Sequence, residues 1–532
     1  MRSARIGALA FGLSVAALGP CFAAPPAPIA SPPAGRLEGV ADGGVKRFLG
    51  IPYAKAPVGP LRFRSPEPAE VWSGVRKATQ ISPPCAQSPF RGMNERTGVE
   101  DCLQLNVYAP ASAKPGDRLP VMLWIHGGAM QFGSASQYDG SRLAERQKVV
   151  VVTINYRLGV LGLLAHPALT AQAAPGLTSG QYALEDQQLA MKWVRRNIEA
   201  FGGDARNLTV FGESAGGDSV CWHLTSPQAV GLFEKAIIQS GACVRVDGEE
   251  TLAEGEDRGV KVAAAVGCGG VDVDVPACLR NAPLDALFAA PADNGRIAAT
   301  WRPKTGAGLL PLGSVEAYAS GRFDPVPVLI GVTRNEYDIM LAMEENAARE
   351  PLSAEHRSAK LRAQYDAVAD KVDARYPVPS FRNPGQSFAQ IMTDSVFACP
   401  SSRLWRAMAV RAPVFVYEFA EARPATPPGQ ETSPSQPDGL RAYHGSEIAY
   451  VFQAPLGPFG PVKAGFTLGQ ARLSDRMQQA WADFARTGRP AAQAQWPSFG
   501  ASGKVMILDQ TGPALDSGFD ERHQCGFWAG PR

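Results

Sequence analysis

Six short apolar stretches, rich in β-branched residues and bounded by turn residues, punctuate the chain. They are 120–125 (PVMLWI), 149–154 (VVVVTI), 208–211 (LTVF), 236–239 (AIIQ), 326–331 (VPVLIG) and 414–419 (VFVYEF). Continuous apolar runs of that length suit strands buried on both faces rather than half-exposed ones. Helical patterns lie between them. Residues 182–198 (YALEDQQLAMKWVRRNI) place Leu184, Leu189, Met191, Val194 and Ile198 at helical spacing. Short helical patches are expected over 245–320, helices with charged faces over 340–410, and a long loop over 421–441, where Pro and polar residues crowd. Strands alternating with helices predict an α/β fold on a mostly parallel sheet.

Composition adds limits. The 532 residues are 45% hydrophobic with a net charge of +2, which excludes wholesale disorder. The 52 basic and 50 acidic residues give no electrostatic case for a nucleic-acid partner. The 55 glycines follow no three-residue period, and no 20–50-residue repeat is present. At about 150 residues per domain, length alone asks for three or four domains.

The N-terminus reads as a targeting segment. Arg2 and Arg5 precede an apolar run over 6–18, a Gly19-Pro20 break and small residues at Ala23 and Ala24. This is the pattern of a signal peptide over 1–24, followed by a flexible Pro/Ala-rich leader over 25–34 and a domain over 35–532. The apolar run is shorter than the roughly 20 residues a bilayer span needs, so no stable membrane insertion is expected. Pro20 argues against lipid attachment at Cys21. An exported chain, periplasmic or secreted, loses Cys21 and keeps eight cysteines, an even number that suggests disulfides. No Cys or Cys/His spacing suits zinc, and no metal or cofactor is expected.

The strongest motif is Gly212-Glu213-Ser214-Ala215-Gly216, between the run LTVF and a helical pattern. A G-x-S-x-G turn between strand and helix lifts a serine hydroxyl above a sheet, and its glycines avoid clashes at the sharp bend. The N-terminal N–H groups of the following helix favour developing negative charge. The serine needs a base, and the chain has six histidines. His126 belongs to a Gly-rich segment, His166 precedes a proline, and His223 lies further along the nucleophile's own helix. His356 sits on a charged helix face and His523 in a polar C-terminal tail. His444, in a late loop, fits the order serine, acid, histidine. The acid then falls between 214 and 444. Glu336 stands just past a strand; Asp338 and Asp394 are rivals. Trp124-Ile125-His126-Gly127-Gly128-Ala129 follows an early strand, so Gly128 and Ala129, with Ala215, are candidate oxyanion donors.

With these pieces in place the sequence resembles the type-B carboxylesterase family, the cholinesterase-like α/β-hydrolases. The resemblance spans nearly the whole mature chain. It includes FLGIPYA at 48–54, EDCL at 100–103, LNVY at 105–108, NYRLG at 155–159 and FGGDARNLTVFGESAGG at 201–217. It implies an α/β-hydrolase fold, a large mostly parallel twisted sheet with helical insertions around an active-site gorge. It also implies a serine carboxylic-ester hydrolase acting on small-molecule esters, with Ser214 as nucleophile, Glu336 as acid and His444 as base. Gly128, Ala129 and Ala215 match the family's oxyanion donors. The resemblance further implies Cys85–Cys102, Cys268–Cys278 and Cys399–Cys525 disulfides; Cys221 and Cys243 can pair or stay thiols.

Several positions depart from the family. Ala129 replaces a frequent glycine, and Tyr337 after the acid is expected to narrow the pocket. The 85–102 segment has no tryptophan, which disfavours a choline ester. Glu213, Tyr337 and Arg302 are candidate substrate contacts. Arg302 with Lys304 could meet an acidic acyl group, or both could be solvated surface cations. The rival readings are an adhesion homologue without catalysis, an amidase, and an esterase for polycarboxylic acids. The oligomeric state is open.

Overall fold

The structure is a computed structural model that describes residues 27–87, 97–244, 249–290, 301–426, 429–453, 456–457, 460–461, 465–491 and 494–530. The expected signal peptide lies outside them. The expected leader differs where it is described. Ile29–Ala30 pairs antiparallel with Arg36–Glu38, the Pro28 carbonyl accepts from Gly39 N–H at 2.9 Å, and Ala34 N–H donates to Asn197 Oδ1 at 2.9 Å. Proline lacks a donor but keeps its acceptor, so a Pro-rich segment can still pair at an edge.

The main sheet has eleven strands among the described residues. In chain order they are β1 (Val40–Asp42), β2 (Val45–Pro52), β3 (Gln104–Pro110), β4 (Leu119–Ile125), β5 (Val150–Ile154), β6 (Gly203–Glu213), β7 (Lys235–Gln239), β8 (Val328–Thr333), β9 (Val414–Phe419), β10 (Val505–Leu508) and β11 (Ala514–Asp516). They lie side by side as β11-β10-β9-β8-β7-β6-β4-β5-β3-β2-β1. From β10 to β5 every neighbour is parallel. Antiparallel strands finish both edges. All six apolar runs are strands of the parallel part, and LTVF is the inner end of the longer β6. The edge strands escaped the apolar pattern because they mix in exposed and half-exposed residues, as in β1 and β11.

Period-two alternation explains the continuous runs. Val121, Leu123 and Ile125 of β4, with Ile330 and Val332 of β8, face one hydrophobic cluster. Met122, Trp124, Leu329, Phe415 and Tyr417 face a second cluster on the other side. Each such side chain contributes roughly 1.5–3 kcal/mol by leaving water.

Three helices matter for the site: α1 (Tyr182–Asn197), α2 (Ala215–Thr225) and α3 (Leu468–Thr487). α3 places Leu473, Met477 and Trp481 in the second cluster. α1 is more enclosed than its pattern indicated. Leu189 is only partly buried, whereas Glu185, Asp186, Gln187 and Gln188 are buried. These polar residues work as internal ties. Asp186 takes two bonds from the Arg157 guanidinium, at 2.8 and 2.7 Å, and Gln187 Oε1 meets His223 Nε2 on α2 at 2.7 Å. His223 is therefore a hydrogen-bonded core residue, as its place on the helix suggested.

The region 338–409 is mostly helical, as expected, and passes through a π-helical turn at Thr393–Ala398. The expected loop over 421–441 carries no helix or strand among its described residues. The C-terminal tail corrects the sequence reading. His523 is fully buried, with Nδ1 2.6 Å from Asp394 Oδ1 and Nε2 2.9 Å from Glu418 Oε1. Four disulfides are formed: Cys85–Cys102, Cys268–Cys278, Cys399–Cys525 and also Cys221–Cys243. No helix among the described residues is long and apolar enough to cross a membrane.

Candidate active site

The turn from β6 into α2 is as tight as its glycines implied. A Cβ on Gly212 would stand 2.5 Å from the Gly216 carbonyl carbon, and one on Gly216 would stand 2.0 Å from Ile125 O. Any side chain there would push the helix off the sheet. Ser214 sits between them in a left-handed conformation, φ 55°, and its N–H donates to Gln239 O at 2.9 Å. A non-glycine residue held there stores on the order of 1–3 kcal/mol, a cost met by the surrounding packing.

His444 and Glu336 come from two loops zipped together. Asn335 N–H donates to Ala442 O at 2.9 Å, and His444 N–H to Glu336 O at 3.0 Å. Glu336 Oε1 accepts from Thr333 N–H at the end of β8, at 2.8 Å, and Oε2 lies 2.6 Å from His444 Nδ1. The rival acids are engaged elsewhere. Asp338 accepts from Arg441 at 2.9 and 3.0 Å, and Asp394 holds His523.

Glu213 is placed differently from expectation. It is not among the residues lining the cavity; its carboxylate is buried, with Oε1 3.2 Å from His444 Nε2. Burial raises the Glu213 carboxyl to about 8, with His444 opposing. Burial pushes the His444 ring down, but Glu213, Glu336 and Glu447 outweigh it and raise the ring to about 9. Burial and Glu336 raise Glu447 to about 7. Glu447 was not singled out from the sequence; its only signal was its place three residues after His444, one helical turn away.

Ser214, His444, Ala129 and Ala215 line one cavity of about 800 Å³. Gly128 and Ala129 have φ of 105° and 53°, and a Cβ on Gly128 would stand 1.9 Å from Phe132 O. Neither N–H donates to a described residue. Ala215 opens α2, where N–H groups have no partner within the helix. Met130, Trp222, Trp301, Met340 and Phe397 give the cavity apolar walls, and Asp218, Glu249, Glu250 and Arg302 give polar ones. Tyr337 does not line it; its ring packs edge-on against Phe388, centroids 5.8 Å apart. Lys304 is no solvated cation. Its side chain is fully buried with Nζ 2.5 Å from Glu250, and burial lowers it to about 8 despite that carboxylate. Among the described residues no cluster of His, Cys, Asp or Glu could hold a metal ion.

A serine on a strand–helix elbow, beside a histidine held by a glutamate and below a Gly-rich loop, defines an α/β-hydrolase site. The chain belongs to the carboxylesterase family, whose model matches residues 26–528. It is 37% identical to the cocaine esterase of Oryctolagus cuniculus over 518 residues, covering 92% of each chain. It is 36% identical to the para-nitrobenzyl esterase of Bacillus subtilis, covering 89% of this chain and 93% of that one. It is also 36% identical to the fumonisin B1 esterase of Sphingopyxis macrogoltabida, covering 92% and 88%. A solved PNB esterase structure superposes with a TM-score of 0.75 at 32% identity, covering 95% of this chain and 99% of that chain. The protein is a carboxylic-ester hydrolase.

Proposed function

We propose that Ser214, His444 and Glu336 form a catalytic triad that hydrolyses small-molecule esters through an acyl-enzyme. The observation that carries this is the 2.6 Å Glu336–His444 pair facing the cavity that also holds Ser214 on its elbow. His444 Nε2 takes the Ser214 proton as Oγ attacks the ester carbonyl carbon. Glu336 holds the ring in the tautomer with Nδ1–H and stabilises the imidazolium. The N–H groups of Gly128, Ala129 and Ala215 receive the oxyanion. The proton then passes to the leaving alkoxide, which departs as the alcohol. Water, deprotonated by His444, attacks the acyl-Ser214 ester, and the acid is released with Ser214 reprotonated.

Ser214→Ala is expected to lower p-nitrophenyl acetate turnover by at least about 10⁴-fold and to abolish labelling by an organophosphonate. Labelling retained in that variant overturns the triad. A non-catalytic adhesion homologue would show no labelling of the wild type either.

The apolar walls suit uncharged aryl or alkyl esters. With Lys304 bound to Glu250, the alternative preference for carboxylate-bearing esters rests on Arg302, which shares the cavity with Asp218 and Glu249. If acidic esters are the better substrates, Arg302→Ala should remove that preference alone. The disulfides fit an exported protein, with residues 1–24 as its signal peptide and 35–532 as one catalytic domain.

A further inference from the structure

Away from the catalytic cavity, an open cleft of about 740 Å³ is lined by three arginines from three segments. Arg334 comes from the loop after β8, Arg441 from the loop before His444, and Arg522 from the C-terminal helix Phe519–Arg522. Each guanidinium is held from behind by a buried carboxylate. Glu418 accepts from Arg334 at 2.7 Å and from Arg522 at 2.8 Å, and Asp338 accepts from Arg441 at 2.9 Å. The carboxylates are almost entirely covered, 0% and 1% exposed, whereas the arginine side chains are 34%, 31% and 41% exposed. The cations therefore face the cleft and these counter-charges do not; Glu421 also lines the cleft, but it is buried and its carboxylate accepts from Gln510 N–H at 3.1 Å and Gln510 Nε2 at 3.2 Å. Asp516, bonded to Arg522 at 2.7 Å, is the partly exposed exception, at 28%.

Donors remain to be used. The Nη1 of each arginine makes no hydrogen bond among the described residues, and the buried Nε of Arg334 has no partner there. Gln390 adds a polar side chain to the wall. Planar guanidinium forks fixed in place match carboxylate and phosphate oxygens with little ordering cost.

We propose that this cleft binds a small multivalent oxyanion carrying two or three carboxylate or phosphate charges. Such an ion would bridge the acid loop, the histidine loop and the C-terminal helix. Arg334 stands two residues before Glu336 and Arg441 three before His444, so the ion would brace the segments that carry the acid–base pair.

The test uses the full mature chain and reads binding without turnover, so it is independent of how Ser214 labelling turns out. Citrate and inorganic phosphate are titrated separately by calorimetry, with sodium chloride at matched ionic strength as the reference. Citrate, phosphate or both are expected to bind at one site per chain with Kd below about 1 mM and to raise Tm beyond the chloride control. Ala422→Glu adds a negative charge on the exposed wall without breaking an ion pair. Arg334→Gln leaves Glu418 with Arg522 and His523. Both variants are expected to weaken binding at least 10-fold. No heat beyond chloride with either anion, or unchanged binding in a folded variant, overturns the proposal.

Discussion

Glu213 changes what His444, the proposed base, can do. The sequence placed a carboxylate beside the nucleophile, and the structure turns it toward His444 Nε2 at 3.2 Å. Three carboxyl groups, Glu213, Glu336 and Glu447, now act on one imidazole and raise it. A base must be neutral to accept a proton. With the ring raised to about 9, kcat/KM should climb with pH through a midpoint above the ordinary histidine value of about 6.5. Glu213→Gln removes a group that raises the ring, so the midpoint should move down toward that ordinary value. A pH–rate profile of both proteins checks this, and coincident acid limbs would refute the coupling. Gly128→Ala is a second test at this scale. Its Cβ would meet Phe132 O at 1.9 Å, so the loop must shift and misaim the proposed oxyanion donors. A barrier raised by about 3 kcal/mol, a roughly 10²-fold fall in kcat, is expected with KM changed much less.

The C-terminal segment shows how an element can be misjudged from polarity alone. The polar tail around His523 is the end of a buried charge network, with Asp394 on the π-helical turn and Glu418 on β9 as its partners. Burial lowers His523, but its two carboxylate partners win and raise it to about 9. A group whose folded value exceeds its unfolded value stabilises fully below the unfolded value, and that stability is lost as pH rises through the folded value. From about 6.5 to about 9 the shift corresponds to about 3 kcal/mol. His523→Gln should lower stability most below about pH 6.5, with the gap to wild type closing above pH 9. Denaturant melts across that range would check it; a gap that widens with pH refutes it. α1 makes the same point. Its polar residues Asp186 and Gln187 are ties to Arg157 and α2, and sequence periodicity cannot distinguish a tie from a solvated face.

At the scale of the whole molecule, the Cys399–Cys525 bridge closes a loop with a sequence separation of 126. It fastens the last helix, Cys525–Trp528, to the helix Cys399–Ala409. Cys399→Ser with Cys525→Ser should cost about 4–5 kcal/mol, read as a fall in the denaturation midpoint that reductant does not deepen at this bridge. An unchanged midpoint would show that packing alone holds the tail.

Length first suggested several domains, yet Gly128, Ser214, Glu336 and His444 meet around one sheet. That convergence could be reasoned from motif order, because Gly128, Ser214 and Glu336 each follow a strand end, parallel strands point their ends the same way, and His444 lies in the loop after the next strand. The apolar runs were legible because a strand buried on both faces needs no polar position. The elbow was legible because only glycine fits at Gly212 and Gly216. Burial of His523, Lys304 and Asp186, the turn of Glu213 toward His444, and the convergence of Arg334, Arg441 and Arg522 were not legible. Each depends on which charges distant segments bring together, and only the tertiary structure brings a charge and its partner within bonding distance.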